Sequence, residues 1–146
     1  MAELNAIWIK RVHRGKMDPV ASAELRTGHG LVGNANVGGR RQVTIIEREV
    51  WERHMAAHGA SLDPSTRRAN LMISGCALAE SRGRVLRIGA CRVRVLGETK
   101  PCEQMEEALP GLRQTMYADW GGGAFGEVLD EGVIAVGDVV AWDESA

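Results

Sequence analysis

The sequence predicts a mainly β (α+β) fold: a mostly antiparallel barrel with a few peripheral helices. Three observations carry that expectation. Seven or eight short apolar runs have strand length and are separated by turn residues. Only two or three stretches switch to helical period. Strands and helices do not alternate regularly, which disfavours a doubly wound parallel sheet.

Taken in order, Asn5–Val12 carries Ile7, Trp8, Ile9 and Val12 and reads as a strand. Residues 13–40 hold six glycines and one proline among few large apolar side chains, and read as one long, turn-rich stretch. Gln42–Ile46 is β-branched and reads as a buried strand. In Glu47–His58 the apolar positions Val50, Trp51, Met55 and the two histidines fall at helical spacing, and Gly59 supplies a stop. Asn70–Ser74, Val85–Ile88 and Cys91–Leu96 read as strands, the last alternating cleanly between Cys91, Val93, Val95 and Arg92, Arg94. Gly89-Ala90 between the latter two suggests a hairpin or a bulged continuous ribbon. Glu103–Leu109 and Leu112–Tyr117 read as helical pieces broken by Pro110-Gly111, followed by strands at Ala124–Leu129, Val133–Val136 and Val139–Trp142.

The 146 residues suit a single domain, 1–146, with a core large enough to fold unaided. Eighteen Lys+Arg against nineteen Asp+Glu leave a formal net charge of −1, which argues against a dedicated nucleic-acid binder. No run of 18 apolar residues marks a membrane span, and the first residues do not have the pattern of a signal peptide. Three cysteines, Cys76, Cys91 and Cys102, cannot all pair internally; reduced thiols and a cytoplasmic location are expected.

Several motifs invite chemistry. Gly28-His29-Gly30-Leu31-Val32-Gly33 matches G-x-G-x-x-G, but a dinucleotide site needs a strand before it and a helix after it, and both are missing. His54 and His58 are four apart on the expected helix without a third ligand, so a helix face is the better reading than zinc. Arg82, Arg84, Arg87, Arg92 and Arg94 lack interleaved aromatics and read as a solvated face. Arg67-Arg68 followed by Asn70 is sharper, because guanidinium forks and an amide at a strand edge can hold a phosphate or a heterocycle edge. Sharpest is Cys102: Pro101 fixes its approach, and Lys100 together with a helix N-terminus would favour thiolate, although Glu103, Glu106 and Glu107 add negative charge nearby. Such a thiolate can serve as a nucleophile, a persulfide carrier or a soft metal ligand. Cys91 and Cys76 read as packing residues.

Four stretches in order resemble one family. They are Arg41-Gln42-Val43-Thr44-Ile45-Ile46; Arg68-Ala69-Asn70-Leu71 through Ser74-Gly75; Thr99-Lys100-Pro101-Cys102-Glu103; and Gly122-Gly123-Ala124-Phe125-Gly126 with Gly132-Val133-Ile134-Ala135-Val136-Gly137-Asp138. The set, with Pro110-Gly111-Leu112, resembles small stand-alone members of the MOSC domain family, the module named for the C-terminal part of molybdenum cofactor sulfurase. The resemblance implies a β-barrel-like fold of the pyruvate-kinase insert type and a molybdenum cofactor (molybdopterin). It implies Cys102 as metal ligand and catalytic residue, and Arg41, Arg68 and Asn70 as cofactor-binding residues; Lys100, beside the thiol, is added to that set on its own charge. The implied activity is that of an oxotransferase or reductase of N-hydroxylated substrates served by an electron-transfer protein. A sulfur carrier that takes a persulfide on Cys102 from a sulfur-donor protein is the alternative, and a non-enzymatic anion- or partner-binding module the third reading. Pyridoxal phosphate belongs to the family only through the desulfurase domain of the larger sulfurase, of which these residues show no sign. Differences from the pattern include Gly121 where relatives often carry Arg, Met105 in place of a second cysteine, and Ala69 where Glu often precedes the Asn.

Overall fold

β-Branched and alternating segments form eleven strands and three helices among residues 2–145, which the computed structural model describes. In chain order they are β1 (Glu3–Lys10), β2 (Met17–Val20), β3 (Ser22–Arg26), β4 (Gly30–Leu31), β5 (Val43–Glu47), α1 (Arg48–His58), β6 (Leu71–Ser74), β7 (Val85–Ile88), β8 (Cys91–Glu98), α2 (Glu103–Ala108), α3 (Leu112–Tyr117), β9 (Ala124–Val128), β10 (Gly132–Ala135) and β11 (Val140–Trp142). A single 3₁₀ turn, Pro64–Arg67, precedes β6.

The main sheet runs β11-β7-β8-β9-β5-β6-β1-β2, and a small second sheet runs β10-β3-β4. All pairs are antiparallel except β5–β6, which α1 connects as one βαβ crossover. The chain is strand-rich with few helices, as expected, but the large sheet is mixed and does not close into a continuous barrel. An isolated bridge between Glu3 and Val139 joins the β1 end to the residue before β11. Pro19 sits in β2 at the sheet edge, where its missing N–H costs no ladder bond.

Two expectations change. The stretch 13–40 is not one long loop: it contains β2, β3 and β4. Ala23, Leu25 and Leu31 alternate inward there and are buried against the main core, enough to hold short strands despite the many glycines. The glycine-rich Gly28–Gly33 segment is therefore the β3–β4 hairpin and its exit, with Leu25 opposite Leu31, and no helix follows it.

The principal core gathers Leu4, Ile7, Ile45, Leu71, Ile73, Leu86, Val93 and Ile134, all essentially inaccessible. Truncating one such residue to alanine costs about 2–5 kcal/mol. β8 shows the alternation plainly: Cys91, Val93 and Val95 point inward, while Arg92 and Arg94 pair outward with Asp130 at 2.8 Å and Glu127 at 3.7 Å. A second core of Trp51, Met55, Met105, Leu112 and Met116 locks α1 against α2 and α3. α1 ends where Gly59 adopts the left-handed conformation, φ 61°, and its N–H meets the carbonyl of Ala56. That helical layer fixes the start of α2, and with it the position of Cys102.

Candidate functional site

Turns at the ends of β1, β5, β6 and β8 surround one cleft of about 480 Å³. Its lining includes all five residues singled out in the sequence: Arg41, Arg68, Asn70, Lys100 and Cys102. Lys10, Asn34, Thr44, Arg67, Thr99 and Gly122 join them. Among the described residues lining the cleft there are five cations and no Asp or Glu. The protein as a whole is almost neutral, so this is a local concentration of positive charge.

Each cation is placed by identifiable contacts. Asp63 caps the 3₁₀ turn by accepting the Ser65 N–H at 2.9 Å. The turn ends on Arg68, held at φ 65°, a conformation uncommon for a residue with a Cβ. Arg68 then donates from a terminal nitrogen to the Gly15 carbonyl at 2.6 Å. Arg67 reaches the other way: its Nε donates to the Gly122 carbonyl at 3.0 Å, and a terminal nitrogen lies 3.5 Å from the Lys100 carbonyl. A Cβ at Gly122 would collide with the Thr99 carbonyl and crowd Arg67, so glycine is required there by close approach. Arg41 lays its guanidinium over the Phe125 ring, 4.9 Å from the centroid.

These charges depress one another. Burial holds the Lys10 pKa below the usual lysine range, and the neighbouring Arg68 lowers it further. Burial likewise lowers Arg67; the nearby Cys102 opposes that shift and Arg41 adds to it. Among the described residues, Lys100 alone of the five has a carboxylate partner, Glu98 at 3.2 Å. Its ammonium also donates to the Tyr117 carbonyl at 3.1 Å and lies over the Tyr117 ring. Arg67 is thus within electrostatic range of Cys102, while the Lys100 ammonium is engaged by Glu98 and Tyr117.

Asn70 lines the cleft and is also bonded within the fold. Its carboxamide oxygen accepts from Thr44 N and Thr44 Oγ1, and its Nδ2 donates to the Trp8 carbonyl at 3.2 Å and Asn34 Oδ1 at 3.3 Å. Those four bonds use its full capacity, so Asn70 builds the cleft floor. Cys102 is exposed, stands at the N-cap of the six-residue α2, and makes one weak contact, 3.8 Å to Gln104 Oε1. The other thiols are less open: Cys76 is half-buried and Cys91 buried. Burial, Glu47 and Glu49 push Cys76 up, against a smaller opposing pull from Arg84, and burial with Asp130 and Asp138 does the same for Cys91.

The remaining motifs are structural. His54 donates from Nε2 to the Gly121 carbonyl at 2.8 Å, and His58 Nε2 meets Thr115 Oγ1 at 2.7 Å. Among the described residues no group of three or more His, Cys, Asp or Glu could hold a metal. The arginines at 84, 87, 92 and 94 pair with Glu144, Asp143, Asp130 and Glu127. No helix among the described residues is long and apolar enough to cross a membrane.

Comparison with known proteins follows the same lines. The MOSC domain family model matches residues 11–141. No protein of curated function matches the sequence. The chain is similar in structure to the YuaD protein from Bacillus subtilis, with a TM-score of 0.78, 18% identity, and coverage of 96% of this chain and 94% of that one. It is similar to YiiM from Geobacillus stearothermophilus, with a TM-score of 0.77, 19% identity, and coverage of 99% and 76%. YiiM from Escherichia coli gives a TM-score of 0.68, 20% identity, and coverage of 99% and 70%. At these identities the likeness speaks to the fold.

Proposed function

The chain belongs to the MOSC domain family, and from that premise we propose that its cleft binds the molybdenum cofactor, with Cys102 as the protein's thiolate ligand to the metal. One observation carries the reading: four cations without carboxylate partners among the described residues, Lys10, Arg41, Arg67 and Arg68, converge on a cleft whose rim holds the exposed thiol. Keeping like charges together is unfavourable unless an anion joins them. At about 4 Å and an intermediate dielectric, one opposite charge is worth on the order of 4 kcal/mol per cation.

The donor set fits a phosphorylated pterin that carries a soft metal. Arg68 and Lys10 would hold the phosphate, and backbone and amide groups around Asn34, Thr44 and Asn70 shape the floor. A single thiolate leaves metal positions open for substrate. When bound, the cofactor supplies oxygen-atom transfer chemistry, with N-hydroxylated compounds as the substrate class and an electron-transfer protein as the source of reducing equivalents. The chain's own part is to fix the anion, present the thiolate, and hold Arg67 beside it through the Gly122 carbonyl.

Titrating free cofactor into the cofactor-free protein tests this. Arg68→Gln should weaken binding by about tenfold or more, and added salt should weaken wild-type binding. Equal affinity in the variant would contradict the assignment.

The exposure of Cys102 favours one second reading, a sulfur carrier. Its thiolate would take a sulfane sulfur from the persulfide of a donor desulfurase, forming one S–S bond as the donor's breaks and leaving the donor thiol reduced. Mass spectrometry after incubation with an active desulfurase should then show one added sulfur on Cys102. That reading has no use for a cleft with so many cations, so it ranks second.

A further inference from the structure

Arg67 and Arg68 are neighbours in sequence, yet the left-handed backbone at Arg68 sends them to opposite sides of β6. Arg68 reaches the β1–β2 turn through the Gly15 carbonyl, on the side where Lys10 ends β1. Arg67 reaches the Gly122 and Lys100 carbonyls, on the β8–β9 side. Arg41 lies on that same side, stacked on Phe125 of β9. The cations therefore form two groups, with the β5–β6 pair between them: Lys10 with Arg68, and Arg41 with Arg67. Only the second group has Cys102 beside it. Burial is the main cause of the lowered pKa of both Lys10 and Arg67, and the smaller charge effects follow the same division: Arg68 acts on Lys10, while Cys102 and Arg41 act on Arg67.

We propose that Arg41 and Arg67 form a second anion seat at Cys102, distinct from the Lys10–Arg68 seat, and that the protein's substrate carries an oxyanion group, carboxylate or phosphate, that docks there. The inference rests on the cofactor reading in one respect only: it takes Cys102 as the reacting end of the cleft. A cofactor phosphate needs one cationic group, and Lys10–Arg68 supplies it. Arg41 is the adaptable member of the second group. Its π-face is spent on Phe125, so the N–H edges of its guanidinium stay free, and no carboxylate among the described residues pairs with it. Arg67 is the fixed member, clamped to two carbonyls. A fixed and a movable guanidinium suit a planar or tetrahedral oxyanion entering beside the thiol.

The seat can be measured without cofactor. Cys102 in the cofactor-free protein is alkylated with iodoacetate, which is anionic, and with iodoacetamide, which is neutral. The ratio of the two rates, compared with that of a free thiol, reports local potential independently of thiolate fraction. The expected ratio is raised about fivefold or more at low salt and collapses on adding salt. Arg41→Gln should remove most of that enhancement, whereas Lys10→Gln should change it by less than about twofold. Inorganic phosphate should slow iodoacetamide at Cys102 in wild type and in Lys10→Gln, but not in Arg41→Gln. Equal effects of the two substitutions, or no effect of Arg41→Gln, would overturn the second seat. A protein that never acquires molybdenum yet shows the Arg41-dependent ratio defeats the cofactor reading and leaves this one standing. A cofactor-loaded protein with no such ratio does the reverse.

Discussion

The Asn70 carboxamide oxygen accepts two hydrogen bonds from Thr44, from the backbone N–H and from the hydroxyl, each at 3.2 Å. The same side chain bonds to Trp8 and Asn34, so one amide ties β5, β6, β1 and the β4–β5 loop together beneath the cleft. Asn70→Ala leaves several of these groups unpaired in a buried site and should destabilise the protein by about 2–3 kcal/mol. Denaturant unfolding measures this; an unchanged midpoint with lost ligand binding would instead restore Asn70 to direct contact.

Gly122 is where backbone approaches backbone most closely at the site. Gly122→Ala forces its new methyl against the Thr99 carbonyl and disturbs the acceptor of Arg67 and of Thr99 Oγ1. The expected cost is about 1–3 kcal/mol of stability, with weakened anion binding. Retention of both properties would show that the turn relaxes without moving Arg67.

The three thiols should separate by reactivity. Raised pKa values mean less thiolate for Cys76 and Cys91 at mildly alkaline pH, and Cys76 is half-buried and Cys91 buried. Limited iodoacetamide treatment followed by peptide mass spectrometry should label Cys102 first. Comparable early labelling of Cys76 would contradict the placement of the 74–78 loop between Glu47 and Glu49, whose carboxylates accept the Leu78 and Gly75 N–H groups.

His54 gives a pH dependence. Burial lowers its folded pKa, opposed by the Gly121 bond and supported by the charges of Arg53, His58 and Arg67. Below the unfolded histidine value the unfolded chain takes up a proton that the folded chain does not, so this contribution to stability falls as pH drops towards the folded pKa. Unfolding curves between neutral and mildly acidic pH should show that loss in wild type and a reduced loss in His54→Gln. Identical pH profiles would remove His54 from the account.

Much of the site was legible because its chemistry is local in sequence. Cys102 stood out beside Pro101, and Arg67-Arg68 ahead of a strand read as an anion fork. The elements fell near their expected places where periodicity was strong, as in α1 and in the β7–β8 hairpin around Gly89. Lys10 was not legible: at the end of β1 it looks like any strand-end lysine, and only the fold sets it beside Arg68. The split between Arg67 and Arg68 was hidden too, since it depends on a left-handed arginine that sequence gives no reason to expect. Asn70 and Lys100 both line the cleft, but sequence polarity near a motif says nothing of which protein groups they also bond. The fold commits the one to Thr44, Trp8 and Asn34, and the other to Glu98 and Tyr117. The strands within residues 13–40 are faint in the sequence because Ala23, Leu25 and Leu31 are few among many glycines; their alternation is the available signal.

The most direct test of the central claim is the molybdenum and pterin content of the protein purified from a host that makes the cofactor, with Cys102→Ser prepared in parallel. Near-stoichiometric molybdenum and pterin in wild type, with molybdenum lost in the variant, is the result expected of a cationic cleft that ends in a metal-binding thiolate. Wild-type protein free of both, or a Cys102→Ser variant that keeps its molybdenum, would contradict it.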